Sequence, residues 1–231
     1  DADKEYDQIV DPQTKEGDLY QLGNHRLLCG DSTKEESFKR LMGNEKAQLV
    51  FTDPPYNVGY DYNVIYASKN KVKTRGVFND KKTDEEFKEF IKNVMDNCFN
   101  FTNDNSSFYL WFASKKEIFV REGIEKAKWY ISQTIIWLKE RIQFSPGQDY
   151  HRIYEPCYFG WKKGIKHFKN KGFDKGKWAE FILLNQESFE DWLDVIYQSR
   201  DKAKDYQHPT QKPVRLAERA IKKHSNRDDI V

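Results

Sequence analysis

Gln48-Leu49-Val50-Phe51-Thr52-Asp53-Pro54-Pro55-Tyr56 is the stretch on which the reading of this chain turns. Leu49, Val50 and Phe51 make a short apolar run of strand length, and Asp53 follows directly. Pro54 and Pro55 fix φ at two positions and remove two backbone donors. What remains is a stiff loop of carbonyl oxygens and one carboxylate, all acceptors, beside a flat ring. The carboxyl end of a strand is where open α/β sheets bind ligands. Rigid acceptors suit an exocyclic amino group, and the Tyr56 ring offers a face on which a base can stack. The same residues also read as a plain Pro-Pro turn with Tyr56 as a packing residue.

Two companions weigh on that choice. Cys29-Gly30-Asp31 follows another strand-like segment upstream, where Gly-Asp by itself is an ordinary turn. His208-Pro209-Thr210-Gln211-Lys212-Pro213 stands directly before a helical segment. It sets a hydroxyl, an amide and an ammonium near a helix N-terminus, a favourable place for a ligand carboxylate. By itself it is also a proline-bounded loop.

Outward from this stretch the pattern is that of an α/β sheet with parallel strands. Leu19–Gln21 and Arg26–Cys29 flank Gly23-Asn24 as a hairpin. Thr33–Glu36, Thr83–Glu86 and Ser114–Glu117 are capping-box patterns. The second opens a helix in which Phe87, Phe90, Ile91, Val94, Met95 and Cys98 recur at helical spacing. Strands are expected at Ser107–Phe112, Trp129–Leu138 and Arg152–Trp161, and a helix around Leu216, Ala217, Ala220 and Ile221. Asp229-Ile230-Val231 reads as the first step of a further strand.

Between these lie two basic stretches. Residues 57–82 have no sustained period and carry Lys69, Lys71, Lys73 and Arg75, as a mobile basic loop would. Residues 162–177 hold seven lysines, among them Lys162, Lys163, Lys166, Lys169 and Lys171, against one acid, Asp174. Both suit phosphate contacts, and both equally suit a solvated surface loop.

Composition bounds the rest. The chain has 231 residues, enough for one large domain or a domain with an inserted lobe, and 15% aromatic residues, which argues for a true core. The formal net charge is only +2, so charge alone does not mark a nucleic-acid binder. Cys29, Cys98 and Cys157 are too few and too scattered for a disulfide framework or a zinc site, so a reducing compartment and no metal are expected. No apolar run approaches the roughly 18 residues of a membrane helix. The opening residues are charged, unlike a signal peptide.

Taken together, the motifs around Asp31, Asp53 and Lys212 resemble the β-class of DNA amino-methyltransferases, whose catalytic motif precedes the cofactor motifs in a permuted order. The run from Gly17 to Ser32 is especially similar to members with an upstream ParB-like domain, often phage or prophage proteins. The resemblance implies a permuted Rossmann-like fold dependent on S-adenosylmethionine. In it Asp53, Pro54, Pro55 and Tyr56 are catalytic: the aspartate and the first proline's carbonyl bind the target amino group, and the tyrosine stacks on a flipped base. Gly30, Asp31, His208, Thr210, Lys212 and Pro213 fall in the cofactor motifs, Asp31 toward the adenine and Thr210 and Lys212 toward the methionine end.

The layout so implied is an arm over 1–16, the first part of the catalytic core over 17–139, a target-recognition region over 140–205 and the start of the cofactor part over 206–231. The class continues into a strand and a Phe-x-Gly-x-Gly loop. Because this chain stops at Val231, the resemblance implies that it is incomplete there. The implied reaction is methylation of adenine N6 in double-stranded DNA, with cytosine N4 as the alternative. A homodimer, a restriction partner and a cytoplasmic, bacterial or phage-encoded protein belong to the same expectation. A non-catalytic DNA-binding module derived from such an enzyme is the reading from a different class. Methyltransferases acting on RNA or protein through Asn-Pro-Pro-Tyr-like loops fit less well, because they usually place the Gly-rich loop upstream.

Overall fold

The computed structural model describes residues 13–59, 80–143, 149–170, 195–197 and 212–231, of which 140–143, 195 and 197 by backbone alone. Strands β1 (Leu19–Leu22) and β2 (His25–Leu28) form the expected hairpin, set apart as a two-stranded sheet. The main sheet holds β3 (Ala47–Thr52), β4 (Thr102–Trp111), β5 (Trp129–Gln143), β6 (Arg152–Lys162) and β7 (Val195–Tyr197) in the order β3-β4-β6-β5-β7.

The sheet is mixed rather than parallel. β3 and β4 are parallel, as are β5 and β7, but β6 runs antiparallel to both of its neighbours. The reason is connectivity: β5 ends at Gln143 and β6 begins at Arg152, too close in sequence for the crossover of about a dozen residues that a parallel pair needs. β3 reaches β4 through a helix, which permits a parallel one. The carboxyl ends of β3, β4, β5 and β7 therefore meet the beginning of β6 at one end of the sheet. β6 falls within the span expected to be a target-recognition region, yet it is the middle strand of the main sheet.

Among the described residues four helices accompany the strands: α1 (Glu35–Met42), α2 (Asp84–Asn100), α3 (Glu117–Lys126) and α4 (Val214–His224). The strand period of two sorts β4 onto two cores. Phe108, Leu110 and Phe112 pack with Phe87, Ile91 and Met95 of α2 and Val120 and Ile124 of α3. Tyr109 and Trp111 face the other way, onto Leu49, Trp137, Cys157, Phe159 and Leu216 and Ala220 of α4. Burial on both faces explains why Phe108 to Ala113 reads as a continuous apolar run. Gly160 is required where β5 and β6 close up, since a Cβ there would lie 1.9 Å from the Tyr130 carbonyl oxygen.

One of the three capping boxes forms. Thr83 Oγ1 accepts from the Glu86 amide at 3.3 Å, and the Glu86 carboxylate accepts from the Thr83 amide at 2.8 Å. The other two are corrected by stronger local partners. Thr33 donates its amide (2.9 Å) and hydroxyl (2.7 Å) to Asp31, so α1 starts after Lys34 without a side-chain cap. Ser114–Lys116 make a single 3-10 turn instead, and Glu117, which would have closed the box, accepts from the Tyr158 hydroxyl at 2.7 Å. At the chain's end residues 229–231 form no strand, yet the Gln48 amide on β3 donates to the Ile230 carbonyl at 2.8 Å.

Candidate active site

Asp53, Pro54, Pro55 and Tyr56 stand where β3 leaves the sheet. Asn57 next turns the chain through a positive φ of 54°, in the left-handed region where asparagine is better tolerated than most residues. Its buried amide clamps the far side of the following loop: Nδ2 donates to the Lys82 carbonyl at 2.9 Å and Oδ1 accepts from the Lys82 amide at 2.6 Å. The Val58 amide donates to Asp80 Oδ1 at 3.2 Å, and the Gly59 amide to the Asp80 carbonyl at 3.0 Å. The four residues are thus held between a strand and a pinned loop base. Lys69, Lys71, Lys73 and Arg75 lie outside the described residues.

Above the loop sits one ammonium. Lys212 Nζ is 3.0 and 2.9 Å from the two Asp53 oxygens, 2.9 Å from the Tyr56 hydroxyl and 3.0 Å from Glu155 Oε2. The Tyr56 hydroxyl in turn donates to Glu155 at 3.2 Å. Glu155, on β6, also accepts from Lys139 on β5, whose side chain is only 2% exposed. Two carboxylates and two ammoniums therefore share one cluster. Burial alone would raise the Glu155 carboxyl, but Lys212 and Lys139 outweigh it and hold it down at about 2. Burial, then the charges of Asp53 and Glu155, push the Tyr56 phenol well above its ordinary value, so it stays a neutral donor. Trp111 and Tyr56 offer their rings to the same ammonium, at 5.6 and 5.2 Å from the centroids.

The other expected residues divide. Asp31 sits after β2 with Oδ1 taken by Thr33, and these two hydrogen bonds, the hydroxyl's first, lower its carboxyl below the usual range. Its segment is tied to α2, where Asn97 donates to the Ser32 carbonyl at 3.0 Å. Lys212 and Pro213 lead into α4, whereas His208 and Thr210 are outside the described residues. Lys212 itself faces Asp53, Tyr56 and Glu155, a placement its motif did not announce.

Among the basic residues, Lys162 is corrected. It is 3% exposed and donates to the Thr102 carbonyl at 2.9 Å, so it is a peg inside the fold and not a phosphate contact. Lys163, Lys166 and Lys169 are exposed, but at the opposite end of the sheet from Asp53. Glu155 to Lys162 is seven residues of strand, roughly 23 Å at about 3.3 Å each. Lys171 is outside the described residues.

Sequence reasoning did not find Glu155, Lys139 or Asn57. The signal for Glu155 was there: an acid followed by Pro156 inside a strand otherwise made of Ile153, Tyr154, Cys157 and Tyr158. Acids are almost never buried without a partner. Among the described residues no group of side chains could hold a metal ion, and no helix is long and apolar enough to cross a membrane.

Residues 47–231 match the DNA methylase family of N6 and N4 methyltransferases, and the chain belongs to that family. It is 25% identical over 219 residues to the type II methyltransferase M.HpaI of Haemophilus parainfluenzae, covering 90% of this chain and 62% of that protein. The chain thus spans less than two thirds of that relative's length. A crystal structure of an M1.HpyAVI–SAM complex superposes with a TM-score of 0.54 at 18% identity, over 87% of this chain and 76% of that one. The Rossmann-like α/β fold is accordingly that of DNA methyltransferases.

Proposed function

We propose that this member of the DNA methylase family handles the target base in a methyl transfer from S-adenosylmethionine to the N6 amine of adenine in double-stranded DNA. The observation that carries the reading is the seat of Lys212. A nitrogen bearing N–H donors rests on both Asp53 oxygens, with the Tyr56 ring 5.2 Å from it. An exocyclic amine is the same kind of donor, and this likeness supports the reading.

The residues do chemically distinct work. Asp53 and the Pro54 carbonyl accept the amine's N–H groups, which turns its lone pair outward and raises the electron density on nitrogen. Pro55 keeps that acceptor pair stiff. Tyr56 presents its ring to the base while its hydroxyl is held by Glu155, so the stacking plane is set before the base arrives. Base flipping costs about a few kcal/mol, and stacking on one aromatic ring returns about 1–3 kcal/mol. Most of the acceleration is then positioning of the nitrogen.

The residues present fit the cofactor. Asp31, with Oδ1 engaged by Thr33 and Oδ2 4.0 Å from Lys34, retains acceptor capacity for an amino group or a ribose hydroxyl. Gly30 beside it keeps the turn narrow, since a Cβ would come 3.1 Å from Ser37 Oγ. Lys212 and Pro213, with His208 and Thr210 of the same motif, would line the opposite end. When bound there, S-adenosylmethionine supplies the activated methyl group. Phosphate contacts fall to the exposed Lys163, Lys166 and Lys169, and to Lys69, Lys71, Lys73, Arg75 and Lys171.

The test is methyl transfer by the natural protein to unmethylated DNA, with nucleoside analysis of the product. Methyladenine is expected; methylcytosine would move the target to N4, and no transfer to any DNA would sink the enzyme reading. Asp53→Ala should lower the transfer rate by about 10²–10³-fold, as loss of a preorganised polar contact typically does. Its salt-dependent DNA binding should persist, because phosphate contacts lie elsewhere.

A further inference from the structure

The Asp53 loop is not held by its own hydrogen bonds alone. We propose that Glu155 is a positioning residue for the transfer: by binding Lys212 and the Tyr56 hydroxyl together, it draws the ammonium partly off Asp53 and sets the plane of the Tyr56 ring. This rests on the function proposed above and adds a residue outside every motif that points to it.

The argument is one of shared donors. An ammonium has three N–H groups, and Lys212 faces both oxygens of Asp53, the Tyr56 hydroxyl and Glu155 Oε2 within 3.0 Å. A donor arriving at Asp53 must displace part of this arrangement. With Glu155 present, Lys212 has a second carboxylate at the same distance and can turn toward it without leaving a charge unpaired. With Glu155 neutral, Asp53 becomes the remaining carboxylate of the cluster, and Lys212 caps it more firmly. Glu155 suits the task because it is itself anchored: Lys139, buried on β5, binds its other oxygen. The Tyr56 hydroxyl bond to Glu155 acts in the same sense, since that hydroxyl is the handle by which the ring is oriented.

Glu155→Gln alone leaves one ammonium of the cluster in excess, because Lys139 and Lys212 share that carboxylate. The informative comparison is Lys139→Met against the double variant Lys139→Met/Glu155→Gln, which relieves the excess of positive charge. Both are made in the natural protein and checked for a cooperative thermal transition. Two quantities are read. The first is single-turnover transfer rate and DNA affinity. The second, independent of cofactor and DNA, is the rate at which Lys212 is acetylated by acetic anhydride, followed by peptide mass spectrometry.

The expected result is a transfer rate about tenfold lower in the double variant, as for a misplaced reacting group, with DNA affinity unchanged. The Lys212 acetylation rate should change at least severalfold, while that of exposed Lys163 does not. A double variant that folds and matches Lys139→Met in either quantity overturns the proposal. A general structural defect would instead lower DNA affinity and alter Lys163 too, which also overturns it. If the unsubstituted protein transfers no methyl group to any DNA, the functional reading fails, and the Lys212 acetylation still decides whether Glu155 holds that ammonium.

Discussion

The two ends of the main sheet each bury a lysine, and the two lysines do opposite things. Lys139, 2% exposed, stands in β5 toward the end of the sheet that carries Asp53 and meets the carboxylate of Glu155. Lys162, 3% exposed, closes β6 at the other end and meets the Thr102 carbonyl, with the Phe99 ring 4.5 Å beneath it. Burial lowers the Lys162 ammonium below its ordinary value. At the first end the charges are gathered and mutually neutralised, so an incoming polar group can exchange with them. At the second the polar groups are absorbed into aromatic packing. His224 shares a 2.9 Å hydrogen bond with Tyr109 and lies against Phe159, while His167 stacks on Trp161 at 4.0 Å. What teaches the difference is the partner: a carboxylate makes a buried lysine part of a site, a carbonyl makes it part of the scaffold.

The sharpest way to break this comparison is to remove the carboxylate. Glu155→Gln should destabilise the fold by about 3–5 kcal/mol, the usual cost of breaking a buried charge pair from one side, as measured by urea unfolding at neutral pH. A change below about 1 kcal/mol would mean that the cluster is solvated and behaves as a surface pair.

An intermediate effect is expected from acid at the other end. Burial, then His167, Lys223 and Lys169, hold the His224 imidazole down to about 3. The unfolded chain takes up this proton near pH 6.5 and the folded chain does not. Stability is therefore full above that pH and falls as pH drops from about 6.5 toward 3, by up to about 1.4 kcal/mol per pH unit. Glu155 adds its own loss only below its unfolded value of 4.5, as pH falls toward about 2. His224→Gln keeps a polar partner for Tyr109 but has no proton to take up. Its unfolding free energy between pH 6.5 and 4.5 should fall less steeply than that of the unsubstituted protein. Equal slopes would show that His224 is not the group responsible.

The smallest effect belongs to Lys162. Lys162→Met deprives the Thr102 carbonyl of its donor but also spares an ammonium its burial, so the net cost should be about 1 kcal/mol. DNA affinity should not change, unlike on substitution of exposed Lys163 and Lys166. A loss of DNA binding with Lys162→Met at unchanged stability would return that lysine to the phosphate-contacting set.

Much of this was legible in the chain itself. The α2 helix, the β3 strand and the Asp53 loop follow from local patterns: apolar spacing, a Thr83 cap, and two prolines after a strand. Such signals are read within a few residues because they reflect local backbone preferences. The failures were also local, where two readings competed for one side chain. Thr33 chose Asp31 over the helix end, and Glu117 chose Tyr158 over Ser114. Lys162 looked like its basic neighbours because a run of charges does not say which member points inward.

By itself, then, the sequence determined the elements, the acceptor loop at the end of β3 and the order of motifs that marks the DNA methylase family. These depend on residue type and short spacing. Only the tertiary structure decided that β6 runs backwards through the middle of the sheet, bringing Glu155 to the end where Asp53, Lys139 and Lys212 meet. Those four residues are separated by as many as 159 positions along the chain. Charges so distant choose partners only when sheet order and strand direction bring them within hydrogen-bonding distance, and no local pattern records that choice.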